Sequence, residues 1–362
     1  MRIAFRTDAS LQIGTGHVMR CLTLAKALAA DGMACEFICR EHPGNLIEFI
    51  RSQGFIAHPL PLLPDAGATV SGSGLAHRHW LGGTQQQDAA ACQPLLAELR
   101  PDWLITDHYA LDSCWEEALA PHYRKLMVID DLADRPHACD LLLDQTLGRE
   151  RADYLPLVPD SCQLLCGSAY ALLRPEFAAE RPASLRRRAG APLRELLINL
   201  GGVDQENVTG QVIAALHTCP LPDDSRITVV MGSTAPWLDE VRNQARRLPW
   251  PNRLLVGVSD MANLMADSDL AIGAAGTTAW ERCCLGLPAI MLILADNQLK
   301  VAQSLSAIGA AAVIQRGGDL APQLAERLAR LADPAALQAM SLAAGRVVDG
   351  TGARLVAKLL EA

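Results

Sequence analysis

Aromatic residues are scarce in this chain: six Trp, four Tyr and five Phe, 4% of the sequence. That excludes the stacked aromatic platforms that grip single-stranded nucleic acid. Long basic runs are missing as well. With 32 Lys and Arg against 40 Asp and Glu, the formal net charge is −8, so bulk attraction to nucleic acid or to an anionic membrane is not expected. No stretch approaches the ~18 uninterrupted apolar residues of a membrane span. The opening run "MRIAFRTDASLQIG" is broken by Arg6 and Asp8 and reads as a strand, not a secretion signal. Among the 11 cysteines, none has the paired C-x-x-C spacing of a zinc site. Scattered reduced thiols and a cytoplasmic location are the reading that follows.

What is present is alternation. "RIAFRTD", "ACEFIC", "PDWLITDHY", "KLMVIDD" and "CDLLLDQ" have the form of strands. "HVMRCLTLAKALAADG", closed by Gly32, and "GNLIEFIRSQG" have the form of helices. This pattern predicts a parallel sheet covered on both faces. Residues 58–83, "HPLPLLPDAGATVSGSGLAHRHWLGG", show no period and read as a long loop. Its His77 and His79 read as surface residues, since no third metal ligand lies near. Residues 174–192, "RPEFAAERPASLRRRAGAP", carry three prolines and a solvated Arg186–Arg188 cluster, and read as a linker. Beyond them the alternation restarts at "RELLINLGG" and ends in a helical tail from Asp319. The expected organisation is a Rossmann-like domain over 1–173, a linker over 174–192, and a second Rossmann-like domain with C-terminal helices over 193–362. The fold class is α/β: two doubly wound domains facing across a cleft, with ligands outside the carboxyl ends of the strands.

Five stretches at strand ends carry chemistry. In "GTGHVMR", Gly14 and Gly16 permit a tight turn and His17 falls on the first turn of a helix. The helix dipole disfavours imidazolium there, which leaves a neutral proton acceptor. A histidine that only packs at a helix start fits the same pattern. Arg20 in this motif and Asp8 before it are counted with the substrate-binding residues. In "ITDHYALD", Asp107, His108 and Tyr109 end a strand. Asp112 offers an alternative helix cap and frees Asp107 for other work. In "LINLGGVDQENVT", the amides of Gly201 and Gly202 precede a helix and suit a phosphate. The stretch lacks both the GKS/T of a P-loop and the G-x-G-x-x-G of a dinucleotide site. In "DLAIGAAGTTAWERCC", Gly276, Thr277 and Thr278 open a helix and Glu281 lies one turn on. Glu281 suits a ribose diol, or is the capping-box partner of Thr278. In "ILADNQ", Asn297 and Gln298 suit sugar hydroxyls or acetamido groups, or else form an ordinary turn.

The order and spacing of "FRTDASLQIGTGHVMRCLTLA", "FICREHPGN", "TDHYALD", "VIDDLADRPHACDLLLDQ", "LINLGG" and "AAGTTAWERCCLGLPAI" are specific. Together they resemble the two-domain nucleotide-sugar enzymes of glycosyltransferase-B architecture. Within these they resemble the UDP-2,4-diacetamido-2,4,6-trideoxy-β-L-altropyranose hydrolases of pseudaminic acid biosynthesis. The resemblance implies a UDP-sugar substrate, His17 as the catalytic base, and UDP held by the second domain. Thr277 and Thr278 would meet the phosphates, Glu281 the ribose, and Tyr109 and Asn297 the sugar. Amide and hydroxyl donors suffice to neutralise the diphosphate, so no metal and no cofactor is expected, and a monomer is the default. A transferase acting on lipid-linked acceptors would show an apolar, basic docking patch in the first domain, which the sequence lacks. A 2-epimerase would carry more carboxylates. A non-catalytic sugar-nucleotide binder would keep Glu281 and the glycine cradle but would not need His17.

Overall fold

Ile3, Ala4 and Phe5 are fully buried in strand β1 (Arg2–Thr7), as an apolar run covered on both faces requires. The structure, a computed structural model, describes residues 1–62, 75–315 and 318–361. After β1 the chain turns at Gly14 into α1 (Gly16–Ala30), followed by β2 (Ala34–Arg40), α2 (Ile47–Ser52) and β3 (Ile56–Leu60). Then come α3 (Gln85–Leu99), β4 (Trp103–Asp107), α4 (Ser113–Leu119), β5 (Lys125–Ile129), β6 (Leu141–Asp144) and β7 (Gln163–Cys166). These strands form one parallel sheet in the order β3-β2-β1-β4-β5-β6-β7. The order reverses between β1 and β4, the point at which such sheets open a crevice for ligands. Register pairs Thr7 with Asp107 there, so the turn into α1 and the end of β4 are neighbours.

The second unit begins with α5 (Pro175–Arg187) and continues through β8 (Glu195–Asn199), α6 (Val208–Leu216), β9 (Arg226–Met231), α7 (Leu238–Ala245) and β10 (Asn252–Val256). It goes on through α8 (Met261–Asp267), β11 (Leu270–Ala274), α9 (Thr278–Cys284), β12 (Ala289–Leu292), α10 (Leu299–Ala307) and β13 (Ala312–Ile314), with α11 (Leu320–Leu331) and α12 (Pro334–Gly345) closing it. Its parallel sheet has the order β10-β9-β8-β11-β12-β13, with the reversal between β8 and β11.

The chain divides into Leu173–Thr351 and a discontinuous unit of Met1–Leu172 with the residues from Gly352 on. The last helix, α13 (Gly352–Glu361), places Val356, Ala357 and Leu360 in one core with Leu24, Leu28 and Trp103. The Trp103 indole donates to the Leu360 carbonyl at 3.0 Å. The residues expected as the tail of the second domain thus complete the first unit, because α13 presents an apolar face that α1 leaves uncovered.

Three further expectations are corrected. Residues 174–192 are not an open linker. Pro175 sits at the first helical position, where its missing N–H costs nothing, and Phe177 and Ser184 are buried in α5. The arginines that follow are not all solvated. Arg188 is buried and donates to the carbonyls of Ser268, Met265 and Ala266 at the end of α8, while Arg187 pairs with Asp269 at 2.8 Å. The stretch expected as a loop contributes residues to β3 and a short 3-10 turn over Arg78–Leu81. Its central part, 63–74, lies outside the described residues.

Candidate active site

Gly14 has a φ of +79°, a left-handed conformation that favours glycine. The turn it makes starts α1 at Gly16 and puts His17 on the first helical turn, 8% exposed. The imidazole Nδ1 lies 2.5 Å from Oδ1 of Asp107, the last residue of β4. Arg20, one turn later on α1, grips the same carboxylate with both edges, Nε to Oδ2 at 2.6 Å and Nη2 to Oδ1 at 2.7 Å. Its third nitrogen reaches Asp131 at 2.6 Å. Burial works to raise the Asp107 carboxyl, but the Arg20 guanidinium and then His17 outweigh it and hold the group well below the usual carboxylate range. An ionised Asp107 accepts from Nδ1–H, which selects the tautomer of a neutral imidazole that has its lone pair on Nε2. Besides the helix dipole expected to act on His17, the structure gives the imidazole a buried carboxylate partner.

Asp131, the second aspartate of "VIDD", is a further site residue that nothing in its local sequence marks out. It also accepts from the Tyr109 hydroxyl at 2.8 Å, so one carboxylate fixes both Arg20 and Tyr109. The Tyr109 ring stands edge-on to His17, with centroids 4.6 Å apart. Trp80 stacks on Tyr109 at 5.4 Å and stands 6.0 Å from His17, and His77 lies 4.4 Å from Trp80. In a chain poor in aromatics, this concentration beside one histidine is the most specific feature of the unit. The signal available in the sequence was the tight run of His and Trp in "HRHW".

Asp8 and His108 are drawn elsewhere. Asp8 is fully buried, 2.6 Å from Arg6 Nη1, and accepts from the backbone N–H of Arg40 at 2.7 Å. Arg6 and Arg40 both bind Asp88 of α3, which also accepts from the Trp115 indole at 3.0 Å. His108 accepts at Nδ1 from the Ala110 N–H at 3.1 Å and turns Nε2 toward Asp8 at 3.3 Å. Burial holds it below the ordinary histidine range. These groups brace the strand ends beneath the turn. Asp112 caps α4, accepting from the Cys114 N–H at 2.9 Å, which leaves Asp107 free for its couple with His17.

In the second unit, Gly201 has a φ of +110°, and a Cβ on Gly232 would fall 1.9 Å from the Gly202 carbonyl oxygen. The start of α6 is already occupied by protein acceptors. Asp204 takes the N–H groups of Val208 and Thr209, both at 2.8 Å, and Asn207 takes that of Gly210 at 3.1 Å. The start of α9 differs: among the described residues no side chain caps it. Gly276, Thr277 and Thr278 are each partly exposed there. Glu281 does not form the capping box with Thr278. Its nearest basic group is Arg174 Nη2 at 3.7 Å, and burial pushes its carboxyl up to about 6. Gln298 lies beside Gly276 and accepts from the Leu294 N–H at 3.0 Å. Asn297 is the middle residue of the same short turn, Asp296–Gln298.

Residues 204–359 match the glycosyltransferase family 28 C-terminal domain. The chain is 28% identical over 286 residues to UDP-2,4-diacetamido-2,4,6-trideoxy-beta-L-altropyranose hydrolase of Campylobacter jejuni, over 79% of this chain and 89% of that protein. It is 30% identical over 198 residues to spore coat polysaccharide biosynthesis protein SpsG of Bacillus subtilis, over 54% of this chain and 57% of that protein. Among solved structures, Acinetobacter baumannii MurG superposes with a TM-score of 0.70 at 17% identity, covering 99% of each chain. At that identity the likeness is one of fold. No helix among the described residues is long and apolar enough to cross a membrane.

Proposed function

We propose that this chain, which has the glycosyltransferase-B fold and resembles the UDP-sugar hydrolases of pseudaminic acid biosynthesis, hydrolyses UDP-2,4-diacetamido-2,4,6-trideoxy-β-L-altropyranose to UDP and the free sugar. The observation that carries this reading is the His17–Asp107 couple, with Nδ1 committed at 2.5 Å and Nε2 left as the acceptor. His17 takes a proton from water, the water oxygen bonds to the anomeric carbon, and the C–O bond to UDP breaks with its electrons leaving on the diphosphate. Tyr109, held by Asp131, presents its ring beside the imidazole and orients the sugar. Thr277 and Thr278 receive the diphosphate, Glu281 the ribose diol, and Asn297 and Gln298 the acetamido groups. Gly14 and Gly16 let the backbone approach, while Asp8 and His108 brace the strand ends. With one base and no carboxylate nucleophile proposed, a single displacement with inversion follows.

The test is release of UDP from the diacetamido altrose and from bacillosamine-type UDP-sugars, in parallel and in ¹⁸O-water. Release without acceptor, label in the sugar and the opposite anomer support hydrolysis. The family 28 match favours a second reading, transfer of the sugar to an acceptor, and release only after an acceptor is added selects it. Binding of the UDP-sugars without release identifies a non-catalytic binder.

A further inference from the structure

We propose that Arg282 is a buried counter-charge for the substrate's diphosphate, acting through the hydroxyl of Thr278. This rests on the reading above that the diphosphate sits at the start of α9.

Arg282 is 1% exposed. Its side chain runs back along α9, so that Nη2 donates to the Ala274 carbonyl at the end of β11 and Nη1 donates to Thr278 Oγ1 at 3.2 Å. Nε is buried and meets no partner among the described residues. Space for the guanidinium is made by Gly273, where a Cβ would fall 2.5 Å from Nη1.

Other buried arginines show what is missing. Arg6 has Asp8 and Asp88, Arg20 has Asp107 and Asp131, Arg40 has Asp88, and Arg135 has Asp130 at 2.8 Å. Arg188 has no carboxylate on its own guanidinium but sits on the carbonyls that end α8, where the helix carries partial negative charge. Among the described residues Arg282 has no carboxylate within ion-pair reach, and its guanidinium lies toward the positive end of α9. A buried cation so placed is costly unless an anion joins it. Burial accordingly pushes the guanidinium down to about 10. Thr278 uses an oxygen lone pair to accept from Arg282, so its own proton is free to be donated outward. A phosphate oxygen at the start of α9 accepts a hydrogen bond from that hydroxyl and brings the missing negative charge. Asp204 fills the corresponding place on α6, which is why α9 rather than α6 is the anion's side.

Calorimetric titration of Arg282→Met with UDP, uridine and inorganic pyrophosphate tests this. Loss of a hydrogen bond to a charged group predicts UDP and pyrophosphate affinities about ten- to a hundred-fold weaker, with uridine affinity unchanged. Thr278→Val should weaken the same two ligands, and the double variant should lose no more than the worse single. Where Arg282→Met does not fold, Arg282→Lys carries the comparison, since it keeps a charge but loses the planar fork that meets Ala274 and Thr278 on two separate nitrogens. Unchanged UDP affinity, a parallel fall for uridine, or losses that multiply in the double variant overturn the proposal. A wild-type protein that binds UDP normally alongside an unaffected Arg282→Met refutes this inference alone. A wild-type protein that binds neither UDP nor pyrophosphate refutes the functional reading with it.

Discussion

Asp107→Asn replaces one carboxylate oxygen with an amide nitrogen and removes the charge. In the wild type both oxygens accept: Oδ1 faces His17 Nδ1 and Arg20 Nη2, and Oδ2 faces Arg20 Nε. An asparagine has one acceptor for these two places. With its oxygen toward His17, its NH₂ opposes Arg20 Nε across the 2.6 Å contact, donor against donor. With its oxygen toward Arg20 Nε, its NH₂ opposes Arg20 Nη2 across the 2.7 Å contact and also faces His17, where it forces Nδ1 to accept. The proton then moves to Nε2, and no lone pair remains for water. In His–Asp couples the wrong tautomer costs on the order of 10⁴-fold in kcat. Stability should fall less, by on the order of 2 kcal/mol rather than the ~3–5 of a stranded buried charge, because Arg20 keeps Asp131 at 2.6 Å. The pH dependence has a definite sign. Asp107 is held below its unfolded value, so its contribution is fully present above the ordinary carboxylate pKa of ~3.9 and fades as pH falls through the folded value. The variant's deficit in urea unfolding should therefore be full at pH 7 and smaller in acid. UDP release measured with UDP affinity separates the effects: kcat collapses and UDP binding stays. A folded variant with kcat within tenfold of wild type would refute the couple as the source of the base.

His17→Asn should lose about 10²–10⁴-fold in turnover while titration shows near-normal UDP binding; near wild-type rates would remove it as the base. Glu281, raised to about 6 by burial, must be ionised to accept from both ribose hydroxyls, so uridine affinity should climb as pH rises through about 6 and level off above it. Glu281→Gln should flatten that profile, and an unchanged slope would place the titration elsewhere. Trp80→Ala removes the ring stacked on Tyr109, and an aromatic pair worth roughly 0.5–1.5 kcal/mol predicts about a three- to tenfold loss in kcat/KM with UDP affinity unchanged. A wild-type kcat/KM in that variant would show that the Arg78–Leu81 turn takes no part.

The parts legible in the sequence were those encoded locally. β1, α1, β4 and β5 each pair an apolar run or period with a polar break, and the glycine turn before His17 is written in adjacent letters. The partners of that histidine were harder to read, because they come from across the sheet. Asp107 is legible as a strand-end residue, but its partners depend on the pairing of Thr7 with Asp107 in β1 and β4. Asp131 looks like any second aspartate of "DD" until Arg20 and Tyr109 converge on it. Helix α3 has a weak apolar stripe and carries Pro94 inside it. One of its buried residues is Asp88, whose function is to hold Arg6 and Arg40 rather than to face solvent. Helix α5 was hidden by its prolines, one at a tolerated first position. Arg188 was hidden by its neighbours, since a basic run looks solvated until the carbonyls it caps are placed 77 or more residues away.

Because α13 belongs with the first unit, translation order and folding order cannot coincide. The ribosome makes β1 to β7 first, yet α1 keeps part of its apolar surface bare, and the Trp103 indole lacks the Leu360 carbonyl, while all of Leu173–Thr351 is synthesised. The nascent first unit must wait, exposed and incomplete, for a helix encoded beyond the second. A stop codon that spared every residue of the second unit would still strike the unit that holds His17.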